Sequence, residues 1–197
     1  MGSWDEHYAV EGWAFGTDPN EFLKEEAHRI PPGKVLCVGE GEGRNAVFLA
    51  EEGYEVVGVD RSQVGLDKAQ GLAQERGVFI ETVLSPIEEF DLVEGEWQGV
   101  VSVFFHLPPE LRKGIHRSVV RGLAPGGILI LEAYTPKQLE FGTGGPPNLE
   151  RLPSLEELED ELEGLEFLVA RETEREVHEG RMHTGKGSVV QLVGQRP

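Results

Sequence analysis

The chain has 197 residues, 18 of them Lys or Arg and 36 Asp or Glu, for a formal net charge of −18 at pH 7. That balance argues against a protein that grips nucleic acid by its phosphates or docks on anionic lipid, since both need clustered cations. A hydrophobic fraction of 39% at this length is enough for one folded domain, and the single cysteine, Cys37, leaves no disulfide and no multi-cysteine zinc site.

The N-terminus, Met1-Gly2-Ser3-Trp4-Asp5-Glu6, has neither a basic stretch nor an apolar core. No signal peptide is expected, and Glu6 stands where myristoylation wants Ser or Thr. The apolar runs 100–105 and 128–131 are strand-sized, too short to span a bilayer. Together with the cysteine usage, this predicts a cytoplasmic protein.

Asp18-Pro19 reads as an N-cap followed by proline at the first helical position, opening a helix to about residue 29 that Pro31-Pro32 ends. Residues 34–39 (KVLCVG) form an almost wholly apolar strand, the pattern of a sheet covered on both faces. A helix over 44–52 stops at Gly53, and a second strand over 54–59 ends at Asp60. Ser62 caps a helix running to about 76, closed by Gly77. Strands are expected at 78–83 and 97–105. Pro109 starts a helix to about 123, and Pro125-Gly126-Gly127 turns into a fifth strand over 128–134. The Gly/Pro segment 141–153 has no period. Ser154 and Glu157 make a capping box for a short helix with the stripe Leu155, Leu158, Leu162. Closing strands over 165–177 and 187–194 are joined by a short turn near 180–185, so they must be antiparallel. The alternation of strands and helices predicts an α/β fold with βαβ units, a single Rossmann-like three-layer αβα domain over residues 1–197 whose first 30 residues form an arm and helix.

Gly39-Glu40-Gly41-Glu42-Gly43 lies between the first strand and its helix. Glycines there let a backbone approach a ligand closely, and the helix offers free N–H groups and a positive dipole end. Asp60 ends the second strand, where a carboxylate can accept from a ribose diol. Loop, helix and Asp in register predict an adenosine-type cofactor across the carboxyl ends of the strands. In the alternative the glycines only make a turn and Asp60 only caps a helix. The spacing is G-x-G-x-G, not the dinucleotide G-x-G-x-x-G, and no Lys-Ser/Thr follows as in a phosphate-binding P-loop.

With these residues in view, the chain resembles class I S-adenosylmethionine (SAM)-dependent methyltransferases, and more narrowly their TehB-like, tellurite-resistance branch. The matching pieces are VLCVGEGEGRNAVFLAEEGYEVVGVDRS (35–62), FFHLPPELR (104–112), LAPGGILILEAY (123–134) and VVQLVGQRP (189–197), with the lead-in of residues 4–23. The resemblance implies a seven-stranded, mostly parallel sheet whose last strand is antiparallel, with SAM at the tips of strands one, two and four. Gly39, Glu40, Gly41, Gly43, Arg44, Asp60, Arg61, Ser85, Pro86 and Phe104 are its candidate cofactor contacts. The sequence departs from the branch at Cys37, usually acidic, at Glu40, usually Cys or another small residue, at Ser85, often Asp, and at Gln98, where the strand-four Asp falls. Each lost carboxylate removes a hydrogen bond worth on the order of 1 kcal/mol. Glu40 or Glu42 either supplies a new partner for the SAM amino group or repels its carboxylate.

Methyl transfer from a sulfonium is an in-line displacement, in which alignment matters most and a base is optional for an anionic acceptor. His106, just past strand four, either takes a proton or bonds the strand-end backbone. Tyr134, at the tip of strand five, is the second candidate catalytic residue, or else a wall residue. The aromatic segment Trp4, His7, Tyr8, Trp13 and Phe15 is a possible lid. His178 and His183 flank the last turn without a third histidine in reach, and no metal site is expected. The loops 143–146 and 179–185 resemble stretches of the same branch and are candidates to border the acceptor. Residues 112–117 hold the one basic cluster and 156–163 an acidic helix, both expected as solvated faces. The expected function is methyl transfer to a small-molecule acceptor such as a thiol, a metalloid oxyanion or another small metabolite, with neither nucleic acid nor membrane as partner. The alternatives are a SAM- or S-adenosylhomocysteine (SAH)-binding protein with little turnover, and an NAD-dependent reductase.

Overall fold

The computed structural model describes residues 4–197; Met1, Gly2 and Ser3, where part of the signal-peptide reading falls, lie outside them. In chain order the elements are α1 (Trp4–Tyr8), α2 (Glu21–Glu26), β1 (Lys34–Val38), α3 (Arg44–Glu51), β2 (Glu55–Asp60), α4 (Gln63–Arg76), β3 (Glu81–Leu84), β4 (Trp97–Val103), α5 (Pro109–Gly122), β5 (Leu123–Tyr134), α6 (Leu155–Glu161), β6 (Glu166–Glu179) and β7 (His183–Gln195). The strands form one seven-stranded sheet in the order β3-β2-β1-β4-β5-β7-β6. The first five are parallel, and β7 runs antiparallel between β5 and β6.

The period of two along β1 explains the layers. Val35 and Cys37 face one way, into a core with Phe22 and Leu23 of α2, Leu49 of α3 and Leu72 of α4. Leu36 and Val38 face the other, against Ile115 and Val119 of α5 and Leu158 of α6. Both faces are thus covered, as the absence of polar residues in that strand demands.

Several boundaries move for physical reasons. Asn20, not Asp18, caps α2, its side chain accepting from the Leu23 N–H at 2.9 Å. The third strand starts only at Glu81, because it is a sheet edge whose pairing with β2 begins there, and Phe79 is left 80% exposed. β5 reaches back to Leu123, which already pairs with Trp97 across an irregularity in the ladder. The closing hairpin extends to Glu179 opposite His183, longer at its tip than the sequence suggested. The Ser154–Glu157 capping box is present.

Candidate cofactor and acceptor site

The loop after β1 runs at the carboxyl ends of the strands, where α/β folds place their ligands. Gly39, Gly41 and Gly43 all have positive φ, at 63°, 61° and 93°. At Gly41 a Cβ would stand 2.5 Å from the Tyr8 hydroxyl, and at Gly39 it would collide with the Phe105 ring, so side chains are excluded by both conformation and space. Asp60 closes the cradle from β2. Its carboxylate accepts from the Gly41 N–H at 2.9 Å and the Ser62 N–H at 2.8 Å, so loop and α4 are held by the same group. Burial raises the Asp60 pKa against the lowering pull of those amides.

The two loop glutamates part company. Glu40 turns down beneath α3, where its carboxyl accepts from the Ala46 N–H at 2.9 Å and its stem lies against Gly58. It caps a helix whose N-cap glycine has no side chain to offer, and burial pushes its pKa up to about 7. Cys37, beside it, is held as a thiol by burial and by this carboxyl. Glu42 turns up and accepts from the Ala14 and Phe15 N–H groups at 2.8 and 3.1 Å, while Lys68 reaches its other oxygen at 2.9 Å. Lys68 also donates to the carbonyls of Val10 and Gly12. The arm is thereby tied over the loop. Asp5 accepts from the Ser62 hydroxyl, and burial with the charges of Asp60, Glu42 and Glu40 keeps Tyr8 protonated.

The remaining candidates are placed as follows. Arg61 is exposed at the tip of β2. The Ser85 N–H donates to the Asp60 carbonyl at 3.0 Å, and its hydroxyl donates to the Pro86 carbonyl at 2.9 Å. The Arg44 guanidinium pairs with Glu179 and donates to the Asp18 carbonyl at 3.4 Å. Gln98 sits at the opposite end of β4, accepting from the Lys34 N–H at 2.8 Å.

Beyond β4 and β5 lies an aromatic cluster. Phe104, at φ 50° the sole non-glycine with positive φ among the described residues, stacks on Tyr134 at 4.5 Å between ring centroids. Strain of this kind concentrates at functional sites. His106 is parallel to Tyr134 at 5.8 Å, and His183 meets it edge-on at 5.2 Å. The loop of Gly144 and Gly145 lies directly on Tyr134, and the β6–β7 turn brings His183 to the same place. So the two loops singled out in the sequence converge on the fifth-strand tyrosine. The Tyr134 hydroxyl, His183 Nδ1 and His106 Nε2 are buried without a hydrogen-bond partner. His106 Nδ1 lies 3.3 Å from the Arg151 carbonyl, so Nδ1 carries the hydrogen and Nε2 is a bare acceptor. Burial and neighbouring positive charge hold His106 and His183 neutral, with pKa values pushed down to about 3 and about 4.

Two buried charge networks escaped the sequence. Glu132, wholly buried on β5, accepts from Arg175 at 2.9 and 2.6 Å, from Gln191 at 2.7 Å and from Asn20. Arg175 and Asn20 also bind Glu179, which joins Arg44. A lone Glu inside the run ILILEAY was the available signal. The second corrects the solvated-face reading at three positions, while Glu156, Glu157, Glu159, Asp160, Glu163 and Arg117 are exposed as expected: Arg112 and His116 are buried, and both bind Glu161 of α6, Arg112 at 2.9–3.2 Å through two nitrogens and His116 at 2.8 Å. Burial would raise the Glu161 pKa, but these bonds hold it below the ordinary value.

Residues 35–127 match the family described as a methyltransferase domain. The 2-heptyl-1-hydroxyquinolin-4(1H)-one methyltransferase of Mycobacteroides abscessus is 34% identical over 137 residues, 68% of this chain and 60% of that protein. The tRNA 5-carboxymethoxyuridine methyltransferase of Escherichia coli is 29% identical over 104 residues, 51% of this chain and 40% of that protein. Among solved structures, TehB from Haemophilus influenzae aligns with a TM-score of 0.74 and 20% identity over 98% of this chain and 66% of that one. The chain has the class I SAM-dependent methyltransferase fold. It spans about half the length of these two curated relatives. No helix among the described residues is long and apolar enough to cross a membrane.

Proposed function

We propose that this protein transfers the methyl group of SAM to a small-molecule acceptor, as a single cytoplasmic domain over residues 1–197 with the first 30 residues as its lid. The observation that carries the reading is the pairing of a glycine cradle, closed by Asp60, with three unpartnered polar groups just beyond β4 and β5. The cradle fits the cofactor: glycines without room for a Cβ leave backbone at the surface, and Asp60 offers acceptor oxygens where a ribose diol would lie. In this reading Gly39, Gly41, Gly43, Asp60, Arg61, Ser85, Pro86 and Phe104 hold SAM, which supplies the methyl group when bound. Glu40 and Arg44, whose side chains are engaged elsewhere, act by shaping the loop and not by touching the cofactor.

His106 and Tyr134 face the acceptor. Neutral His106 takes the acceptor's proton at Nε2, and Tyr134 orients the acceptor through its free hydroxyl. Tyr8 and Phe105 lie against the glycines, so α1 lifts for the cofactor to settle and closes again to exclude water. The hydroxyquinolinone relative supports a small aromatic acceptor, and the net charge of −18 weighs against tRNA. The TehB-like branch, with its metalloid chemistry, is supported by the near-complete alignment to TehB.

Calorimetric titration with SAM, SAH and NAD tests the cofactor. Binding of NAD without SAM would end this reading. Methyl-transfer assays across hydroxyquinolinones, phenols, thiols, tellurium and selenium oxyanions and tRNA test the acceptor. The placement of Tyr8 on the cradle favours one second reading, a SAM- or SAH-binding protein with little turnover; tight SAM binding with no transfer to any acceptor would select it.

A further inference from the structure

Three of the buried polar atoms left without a partner among the described residues belong to side chains that line a single cavity: His106 Nε2, Arg112 Nη1 and Arg151 Nε. The cavity lies between the end of β4, α5 and the turn at 149–151, with Ser102 and Phe105 on its walls. The ring of Phe105 separates it from Gly39 of the cofactor cradle. Its volume is about 10 Å³, the size of one water, so a larger group enters only as its lining side chains give way. Arg112 is only 3% exposed, and although Glu161 occupies its Nε and Nη2, its Nη1 is free. Arg151 makes no ion pair within 4.0 Å among the described residues. The two guanidiniums stand against two carboxylates, Glu161 at 2.9 Å and the exposed Glu157 at 3.9 Å, both on the Nη2 side of Arg112, which leaves Arg112 Nη1 and Arg151 Nε as the open donors.

We propose that this cavity is an acid-group subsite, which takes the carboxyl or acidic hydroxyl of the methyl acceptor. It rests on the reading of the β4 and β5 tips as the acceptor side. Two N–H donors and one bare acceptor nitrogen complement an O–H acid. An acidic hydroxyl gives its proton to His106 Nε2 as its O–H bond breaks and the N–H bond forms; a carboxyl group arrives already ionised, and the proton that forms the same N–H bond comes from solvent. The resulting oxyanion is held by Arg112 Nη1–H and Arg151 Nε–H, and it offsets the charge gained by the imidazole. Guanidinium donors suit this task because they stay charged and hydrogen-bond an oxyanion more strongly than neutral groups do. An acceptor bound this way presents itself as an anion.

The test uses the full chain with SAH, titrated with sodium formate, sodium benzoate and their amides, formamide and benzamide, at constant ionic strength. The His106 imidazole is followed by nitrogen NMR, its signals assigned with His106→Gln. We expect both acids to bind, both amides to fail, and His106 to become protonated as either acid binds. Arg151→Gln, which breaks no ion pair, should weaken formate about tenfold, and Arg112→Lys should weaken it with folding retained. Equal effects of acids and amides, or an unchanged formate affinity in Arg151→Gln, overturns the proposal and leaves the cavity to a single water. Binding of formate without benzoate also overturns it, in favour of a closed site for a free inorganic anion. SAM affinity, measured on the same samples, separates failure of the subsite from failure of the methyltransferase reading.

Discussion

The carboxylates around the glycine loop and those around the terminal hairpin are equally buried but satisfied in opposite ways. Glu40, Glu42 and Asp60 accept mainly from backbone N–H groups of Ala46, Ala14, Phe15, Gly41 and Ser62, with Lys68 alone, among the described residues, adding a cation, on the second oxygen of Glu42. Glu132 and Glu179 lean on the guanidiniums of Arg44 and Arg175. Amide partners cost no side-chain entropy and stay when one side chain is changed, whereas a guanidinium left without its carboxylate is an uncompensated buried charge. The loop side is therefore built to tolerate ligand exchange, and the hairpin side to lock one arrangement of β5, β6, α2 and α3.

The largest expected effect comes from breaking the hairpin network. Glu132→Ala should lower stability by about 3–5 kcal/mol, read from urea midpoints, because Arg175, Asn20 and Gln191 each lose one buried partner and Glu179 is the buried carboxylate left against Arg44 and Arg175. Glu132→Gln, nearly the same in shape, should recover part of it. A loss under about 1 kcal/mol for the alanine variant would break the contrast between the two regions. Next, Asp60→Ala should weaken SAM binding about ten- to a hundredfold by calorimetry, through the lost hydrogen bonds of a charged group. Unchanged affinity there would refute the ribose assignment.

The third effect depends on pH. Glu40 titrates higher when folded, at about 7, than its ordinary value, so the folded state holds the extra proton. The stabilisation is complete below the unfolded value and is lost as pH rises through the folded one. His106 and His183, held low, act in the opposite direction, so the Glu40 contribution is read as a difference: the melting point of the wild type minus that of Glu40→Gln should fall from about pH 5 to about pH 8. Tyr134→Phe comes next: removal of an unpartnered buried hydroxyl should leave stability unchanged or raise it by up to about 1 kcal/mol, while kcat/KM falls. The smallest effect is reserved for the exposed pair of Lys137 and Glu174 at the hairpin edge, where Lys137→Met should leave the melting temperature unmoved.

The same contrast explains what the residues disclosed in advance. The cofactor half is written locally: Gly39, Gly43, Ser62 and Asp60 lie within one βαβ unit, so spacing alone located the loop, the cap and the strand-tip carboxylate. The seven strands were legible for the same reason, since period and turn residues act over a few positions. The hairpin half is written at long range. Asn20 meets Glu132 across 112 residues and Glu179 across 159. No periodicity encodes such a meeting, nor the pairing of Arg44 with Glu179. Arg112 and Glu161 looked like polar faces because each helix viewed alone has one; only their packing 49 residues apart turns both inward.

The tether between arm and loop is made of main chain on the arm's side. Glu42 is bound by the N–H groups of Ala14 and Phe15, and Lys68 by the carbonyls of Val10 and Gly12. Side chains at the exposed positions 10 and 11 can change without touching these bonds. A segment held in this way keeps its path over the glycine loop whatever chemistry those positions present to solvent.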